Sequence, residues 1–404
     1  MQPNSSVPIC KPIAIKPLAF ETLAIEMVDL GKRYGSTRVL DHLSLSVAKG
    51  ELLVVLGESG CGKSTLLRLI AGLEPPQNGT IQIAGVDQSR VVPHKRDVAV
   101  VFQDGNGYEH LTVRQNLELA AKKGEGPCQT ADWVDLLKLG GTLNQKLAEL
   151  SGGQSQRVAI ARAMLSGKSI VLLDEPLAHL NQSMREEIRE LIRVVHRETN
   201  RTFVYVTHDS DEAFYLADRI AVLETGKIQQ VGDPRMVYDS PQWKEVAQLL
   251  GQPAADILKL PRSWLEPDHQ SDTSLLECCV RSHNWKINRI EIDLPGHSTS
   301  RQQGLSMTDD GLVARGSIAN CRWMGSRWWL EIACTHPEGT NGIEQLVKIR
   351  ITCESHGQDS LEPNTIESEY LAAADLSRAG NGSKLFGYVE AIIPRHSIQL
   401  FRNG

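Results

Sequence analysis

Long apolar stretches are missing from this 404-residue chain. No run approaches the roughly 20 residues a helix needs to cross a bilayer, so any membrane role is expected to be peripheral. Net positive charge is missing as well: 43 Lys and Arg stand against 49 Asp and Glu, a formal balance of −6. That balance argues against a protein built to coat nucleic acid. Cysteine is sparse, with eight in all and Cys278-Cys279 the only adjacent pair. No Cys-x-x-Cys or Cys/His zinc spacing occurs, so reduced thiols rather than a disulfide framework or metal site are expected. Residues 1–22 lack the apolar centre of a signal peptide and are broken by Pro3, Pro8, Pro12 and Pro17. They read as an extended tail on a cytosolic protein.

What is present is an alternation of strand and helix patterns. Val28–Tyr34 and Leu43–Val47 read as short strands, and Glu51–Leu56 is a continuous apolar run ending at Gly57, as a buried parallel strand would. Further apolar runs at Val98–Phe102, Ser169–Asp174, Thr202–Thr207 and Arg219–Leu223 predict more strands of the same sheet. Helical patterns at Ser64–Gly72 and Ser183–Glu198 fall between them. This order predicts an α/β domain over about 23–250, with a helical subdomain at about 104–166. Past Pro253 the pattern changes to short alternating segments such as Lys348–Thr352, Gly387–Ile392 and Ser397–Leu400. These predict a β-rich antiparallel domain over 251–404.

The chemistry concentrates at strand ends. Gly57-Glu58-Ser59-Gly60-Cys61-Gly62-Lys63-Ser64-Thr65 follows a buried strand and opens a helix. Its glycines let backbone amides wrap phosphates, Lys63 offers a positive charge to the outer phosphates, and Ser64 offers an oxygen to magnesium. Cys61 reads as a small residue filling a tight turn rather than as a redox group. A second anion-facing surface is Ser151-Gly152-Gly153-Gln154, ahead of a helix expected at Gln156–Leu165. Two such surfaces on one chain suggest that each serves a different copy. Ile170–Leu173 delivers Asp174 and Glu175 at a strand end, where ligands bind in open parallel sheets. In the chemical reading Asp174 holds magnesium and Glu175 aligns or deprotonates the attacking water; a strand that simply ends in solvated acids is the alternative.

Taken in order, Tyr34, Gly57–Thr65, Gln103, Leu150–Gln154, Asp174-Glu175 and His208 resemble the ATP-binding subunits of ABC transporters. Within that family the chain is most similar to the sugar-importer branch of the maltose and glycerol-phosphate type. Lys95-Arg96-Asp97, His110–Val113 and Thr207-His208-Asp209 with Glu212-Ala213 add to the likeness, as do Gly232-Asp233-Pro234 and Tyr238–Pro241. The resemblance implies a P-loop ABC ATPase domain, a parallel-sheet core with an antiparallel edge, and a C-terminal OB-like regulatory barrel. It implies that Gln103 touches magnesium and the attacking water, that His208 contacts the terminal phosphate, and that Tyr34 lies against adenine. A tyrosine packed in the core is the other reading of Tyr34. Ser151 to Gln154 would close over the ATP of a second copy, so a homodimer or a pair with a close ABC relative is implied. Membrane-spanning permease subunits and, indirectly, a solute-binding protein are the implied partners, with the chain on the inner face of the cell membrane.

Departures from the family accompany the matches. Where it has a small residue, Asn, Leu and Asp, this chain has Ala178-His179-Leu180-Asn181. Asp104–Glu109 replaces a more apolar run that ends in proline and receives the membrane partner. These two changes motivate a second reading, a nucleotide-binding regulator with weak hydrolysis. A soluble ABC ATPase of DNA maintenance or translation is a third; it fits less well, because neither a coiled-coil insertion nor a second cassette is present. Trp323, Trp328 and Trp329 between Cys321 and Cys334 are read as strand packing before a binding face.

Overall fold

The computed structural model describes residues 22–103, 107–121, 127–251, 255–261, 275–280, 286–292, 304–308, 312–323, 327–335, 346–354, 387–393 and 399–400. The tail expected at 1–22 (except Thr22), the 104–106 part of the departing segment, and 394–398 lie outside them. The chain divides into two compact units: one runs through Leu52 and again from Thr65 to Val204, the other from Leu53 to Ser64 and from Tyr205 onward.

In the first unit, β1 (Leu23–Tyr34) and β2 (Thr37–Ala48) form a long antiparallel pair. Both exceed the short strands expected from the sequence. Register shifts interrupt β1, and Asp29 takes a left-handed φ of 57°, so the period-two pattern that marks a strand is broken there. The first strand of the other unit is β3 (Leu52–Leu56), buried at every position. Helix α1 (Lys63–Ala71) follows and is shared between the units. The first unit continues with β4 (Asn78–Ile83) and β5 (Val86–Asp87), giving a four-stranded sheet of order β2-β1-β4-β5. Next come β6 (Val98–Val101), α2 (Val113–Ala120), α3 (Pro127–Leu136) and α4 (Gly152–Leu165). The helices lie where a helical subdomain was expected. Strand β7 (Ile170–Asp174) pairs parallel with β6. Helix α5 (Gln182–Thr199) buries Ile188, Ile192 and Val195, one helical stripe. Strand β8 (Thr202–Thr207) is buried throughout and adjoins β7.

In the second unit β3 pairs parallel with β9 (Arg219–Glu224), and β10 (Lys227–Gly232) adds an antiparallel edge. The expected parallel core with an antiparallel border is therefore present. Helices α6 (Ser210–Leu216), α7 (Pro234–Asp239) and α8 (Lys244–Leu249) belong to the same unit. Beyond them lie β11 (Asp256–Pro261), β12 (Leu275–Val280), β13 (Lys286–Ile292), β14 (Gly304–Met307) and β15 (Leu312–Trp323). The series ends with β16 (Arg327–Thr335), β17 (Leu346–Glu354), β18 (Gly387–Ile393) and β19 (Gln399–Leu400). Every described pairing among these strands is antiparallel, in sheets of order β11-β12-β19 and β13-β18-β15-β16-β17, with β14 on β15. Cys278 and Cys279 are buried free thiols, and burial pushes the Cys278 thiol up to about 12.

Helix α1 carries the candidate phosphate loop's lysine at its start and is capped at its far end by a side chain. The Arg96 guanidinium donates to Leu69 O and Ile70 O, both at 2.8 Å, and to Val91 O at 2.9 Å. Arg96 is only 1 % exposed, and burial lowers its pKa. Gly72, with φ at 75°, leaves room for it: a Cβ there would stand 2.4 Å from Arg96 Nε. A cation on terminal carbonyls satisfies orphan acceptors and complements the helix dipole. Arg96→Ala removes charge-assisted bonds from buried carbonyls and is expected to cost about 3 kcal/mol, read as a lower urea midpoint with unchanged slope.

Candidate nucleotide site

The loop after β3 is wound tightly at its start. A Cβ on Gly57 would lie 2.3 Å from Leu223 O and 2.6 Å from Cys61 Sγ. Gly60 and Gly62 have φ of 84° and 114°, in the region that favours glycine. Gly57 N donates to Thr207 O at 3.3 Å, and Gly226 N donates to Cys61 O at 3.2 Å. The loop is thus anchored to the end of β8 and to the β9–β10 turn. Burial raises the Cys61 thiol pKa above its ordinary value, against a smaller lowering by Lys63. The residue therefore packs as a neutral thiol, in keeping with the packing reading. Lys63 is 4 % exposed, and its Nζ donates to Gly57 O at 2.8 Å and Glu58 O at 2.9 Å. An ammonium gathered against loop carbonyls beside positive-φ glycines is a cradle suited to phosphate oxygens. Glu58, Ser59 and Gly60 form the exposed tip, and Ser64 and Thr65 continue into α1.

The acids sit as the strand pattern implied. Asp174 is the last residue of β7 and is buried, at 9 % exposure. Glu175 follows with φ at 41°, a left-handed conformation costing a non-glycine residue on the order of 1–3 kcal/mol. Such strain persists where the surroundings over-determine it, here immediately after a buried strand. In the same unit, Gln103 lies just past β6 and is exposed, with its Nε2 2.9 Å from His179 Nε2.

His208 follows β8 and is exposed. The turn that presents it is fixed by a buried carboxylate whose supporting role the sequence alone does not show. Glu212, 7 % exposed, accepts from Tyr205 OH and Thr207 Oγ1, both at 2.7 Å. Thr207 Oγ1 in turn accepts from Asp209 N at 3.0 Å, and Asp209 caps α6.

Ser151 is the N-cap of α4, which starts at Gly152 rather than at the expected Gln156. The reason is a capping box: Ser151 Oγ accepts from Gln154 N at 3.4 Å and Gln154 Oε1 accepts from Ser151 N at 3.0 Å. The cap outweighs the poor helix propensity of two glycines. A Cβ on Gly152 would come 3.3 Å from Leu180 Cδ2 and one on Gly153 3.3 Å from Met184 Cε, so the glycines admit the start of α5 close by. There Asn181 caps α5, its Oδ1 accepting from Met184 N at 2.9 Å. An aspartate would accept the same bond, so the departure at Asn181 removes a charge and keeps the cap.

Of the two readings of Tyr34, core packing is excluded: the residue is 44 % exposed. Its hydroxyl donates to Glu74 Oε2 at 2.6 Å, and Lys32 Nζ, paired with the same carboxylate at 2.8 Å, lies 5.3 Å from the ring centroid. Lys32 first and Tyr34 second hold the Glu74 carboxyl below its ordinary range. Past residue 106, Tyr108 N donates to Asn116 Oδ1 at 2.9 Å and Tyr108 O accepts from Asn116 Nδ2 at 3.1 Å. A buried asparagine therefore holds the described part of the departing segment. Glu212, Asn116 and Glu74 were illegible as site supports because their partners depend on tertiary neighbours.

Comparison with known proteins gives a family and several relatives. A family profile described as ABC transporter matches residues 40–178. The chain is 44 % identical over 242 residues to the sn-glycerol-3-phosphate import ATP-binding protein UgpC 2 of Rhizobium johnstonii, covering 59 % of this chain and 70 % of that protein. It is 42 % identical over 245 residues to the xylose/arabinose import ATP-binding protein XacJ of Haloferax volcanii, covering 59 % and 64 %. Among solved structures, cbiO1 from Clostridium perfringens, part of the ABC transporter complex cbiONQ, superposes with a TM-score of 0.50 at 25 % identity. That match covers 54 % of this chain and 91 % of the other.

The fixed, exposed ring of Tyr34 gives a direct test. Tyr34→Ala is expected to raise the Kd for ATP about tenfold through lost base stacking, with Tyr34→Phe close to wild type, both by titration calorimetry.

Proposed function

This chain belongs to the ABC transporter ATP-binding proteins, and from that premise we propose that it hydrolyses ATP as one of a pair and so drives import through separate membrane-spanning subunits. Lys63 and backbone amides of the Gly57–Thr65 loop bind the phosphates of one nucleotide, with Tyr34 against its adenine. Ser151 to Gln154 of the second copy complete the enclosure. Ser64, Asp174 and Gln103 would each offer an oxygen, the donor type that suits a hard cation such as magnesium. When bound, that ion neutralises charge on the phosphates. Glu175 accepts or directs the proton of the attacking water, and His208 steadies the terminal phosphate. Phosphoryl transfer asks for positioning and charge neutralisation more than covalent chemistry, and these residue types supply both.

The observation that carries this reading is the pair at the end of β7: a buried Asp174 followed by a backbone-strained Glu175. Support for pairing comes from the capped, glycine-opened start of α4. The domains proposed are 23–250 as the ATPase and 251–404 as an OB-like regulatory barrel, for which the antiparallel strands are the support. Among the described residues no helix is long and apolar enough to cross a membrane, which suits a peripheral subunit on the inner face of the membrane. The names of the relatives favour sugars or a related small solute as cargo, delivered by a solute-binding protein.

Glu175→Gln is expected to keep ATP affinity, abolish phosphate release and leave an ATP-dependent dimer detectable by light scattering. A variant hydrolysing at the wild-type rate would remove Glu175 from this role. Ser151→Arg is expected to abolish ATP-driven pairing while nucleotide binding to the Lys63 loop persists.

A further inference from the structure

We propose that His179 is a positioning residue for Gln103, setting which end of the Gln103 amide is presented to the nucleotide site. The inference rests on the functional reading above, which gives Gln103 its role. The two residues lie 76 positions apart, and their side chains meet with Nε2 to Nε2 at 2.9 Å. With the Gln103 amide nitrogen as donor, the contact uses a lone pair on His179 Nε2. That pairing engages the NH₂ end of Gln103 and leaves Oε1, the end able to ligate a cation or accept from water, uncommitted to His179. Without it, the terminal amide torsion is broad and roughly two-fold. Reversed orientations would then present NH₂, which cannot ligate a cation.

The contact also bounds a cavity of about 250 Å³ whose other walls include Gly152, Ser155 and Gln156 of α4 and Leu180. His179 therefore ties Gln103 to the segment that leads into α5 and faces the start of α4.

The test uses the full chain with three forms at residue 179. His179→Leu removes the acceptor; His179→Gln restores an oxygen at about the reach of the imidazole Nε2. For His179→Leu, kcat for magnesium–ATP is expected to fall about fivefold, the worth of one hydrogen bond, with KM within about twofold. His179→Gln is expected to recover most of the loss. Independently of turnover, the Gln103 side-chain amide resonances, assigned through Gln103→Glu, are expected to move in nucleotide-free His179→Leu and return toward wild type in His179→Gln. Unmoved Gln103 resonances, or an unchanged kcat in His179→Leu, would overturn the proposal. A loss of kcat that His179→Gln does not recover would overturn it too. A wild type inactive with magnesium and ATP would overturn the functional reading instead, and the resonances would still decide whether the contact exists.

Discussion

The candidate site depends first on a buried ammonium. Lys63 is almost wholly enclosed, and the carbonyls of Gly57 and Glu58 stand in for water around its charge. A buried cation without such partners would cost several kcal/mol or lose its proton. The loop must therefore turn the Gly57 and Glu58 carbonyls inward at Lys63. That winding needs glycine at 60 and 62 for the backbone angles, and at 57 because no Cβ fits against Leu223 O. One charge dictates the loop, and the loop dictates its glycines.

The second organising theme is the way helix ends are satisfied. Ser151, Asn181, Asp209 and Asp233 cap the starts of α4, α5, α6 and α7 with side-chain oxygens. Arg96 closes the end of α1 with a guanidinium. Three of these caps adjoin segments of the candidate site: the Ser151 glycines, the turn through His179, and the turn that presents His208. A helix end that is satisfied does not fray, so the residues just outside it keep their places. This is why substituting asparagine for aspartate at 181 costs the local structure little while altering the charge available to a partner.

Much of this was legible because buried parallel strands are written as uninterrupted apolar runs. The runs ending at Leu56, Asp174 and Thr207 mark strands whose ends carry the loop, the acids and His208. The bulged strand β1 was legible only in part, because its shifts break the alternation that a reader counts. The start of α4 was displaced because a reciprocal cap overrides the glycines' poor propensity. Tyr34 illustrates the limit: its residue type suited either a core or a surface, and only the exposed ring bonded to Glu74 decides between them.

The sequence by itself determined the order of the chemical groups, since spacing along a strand–loop–helix unit is a local matter of backbone angles and residue size. It determined, too, the absence of a net positive charge, and the glycines without which the loop cannot wind. Tertiary structure alone decided which distant groups support them. Glu74 beneath Tyr34, Glu212 beneath the His208 turn, Arg96 beneath α1 and His179 beside Gln103 are pairings of side chains. A hydrogen bond has a reach of about 3 Å, and only the folded chain brings its two ends within it.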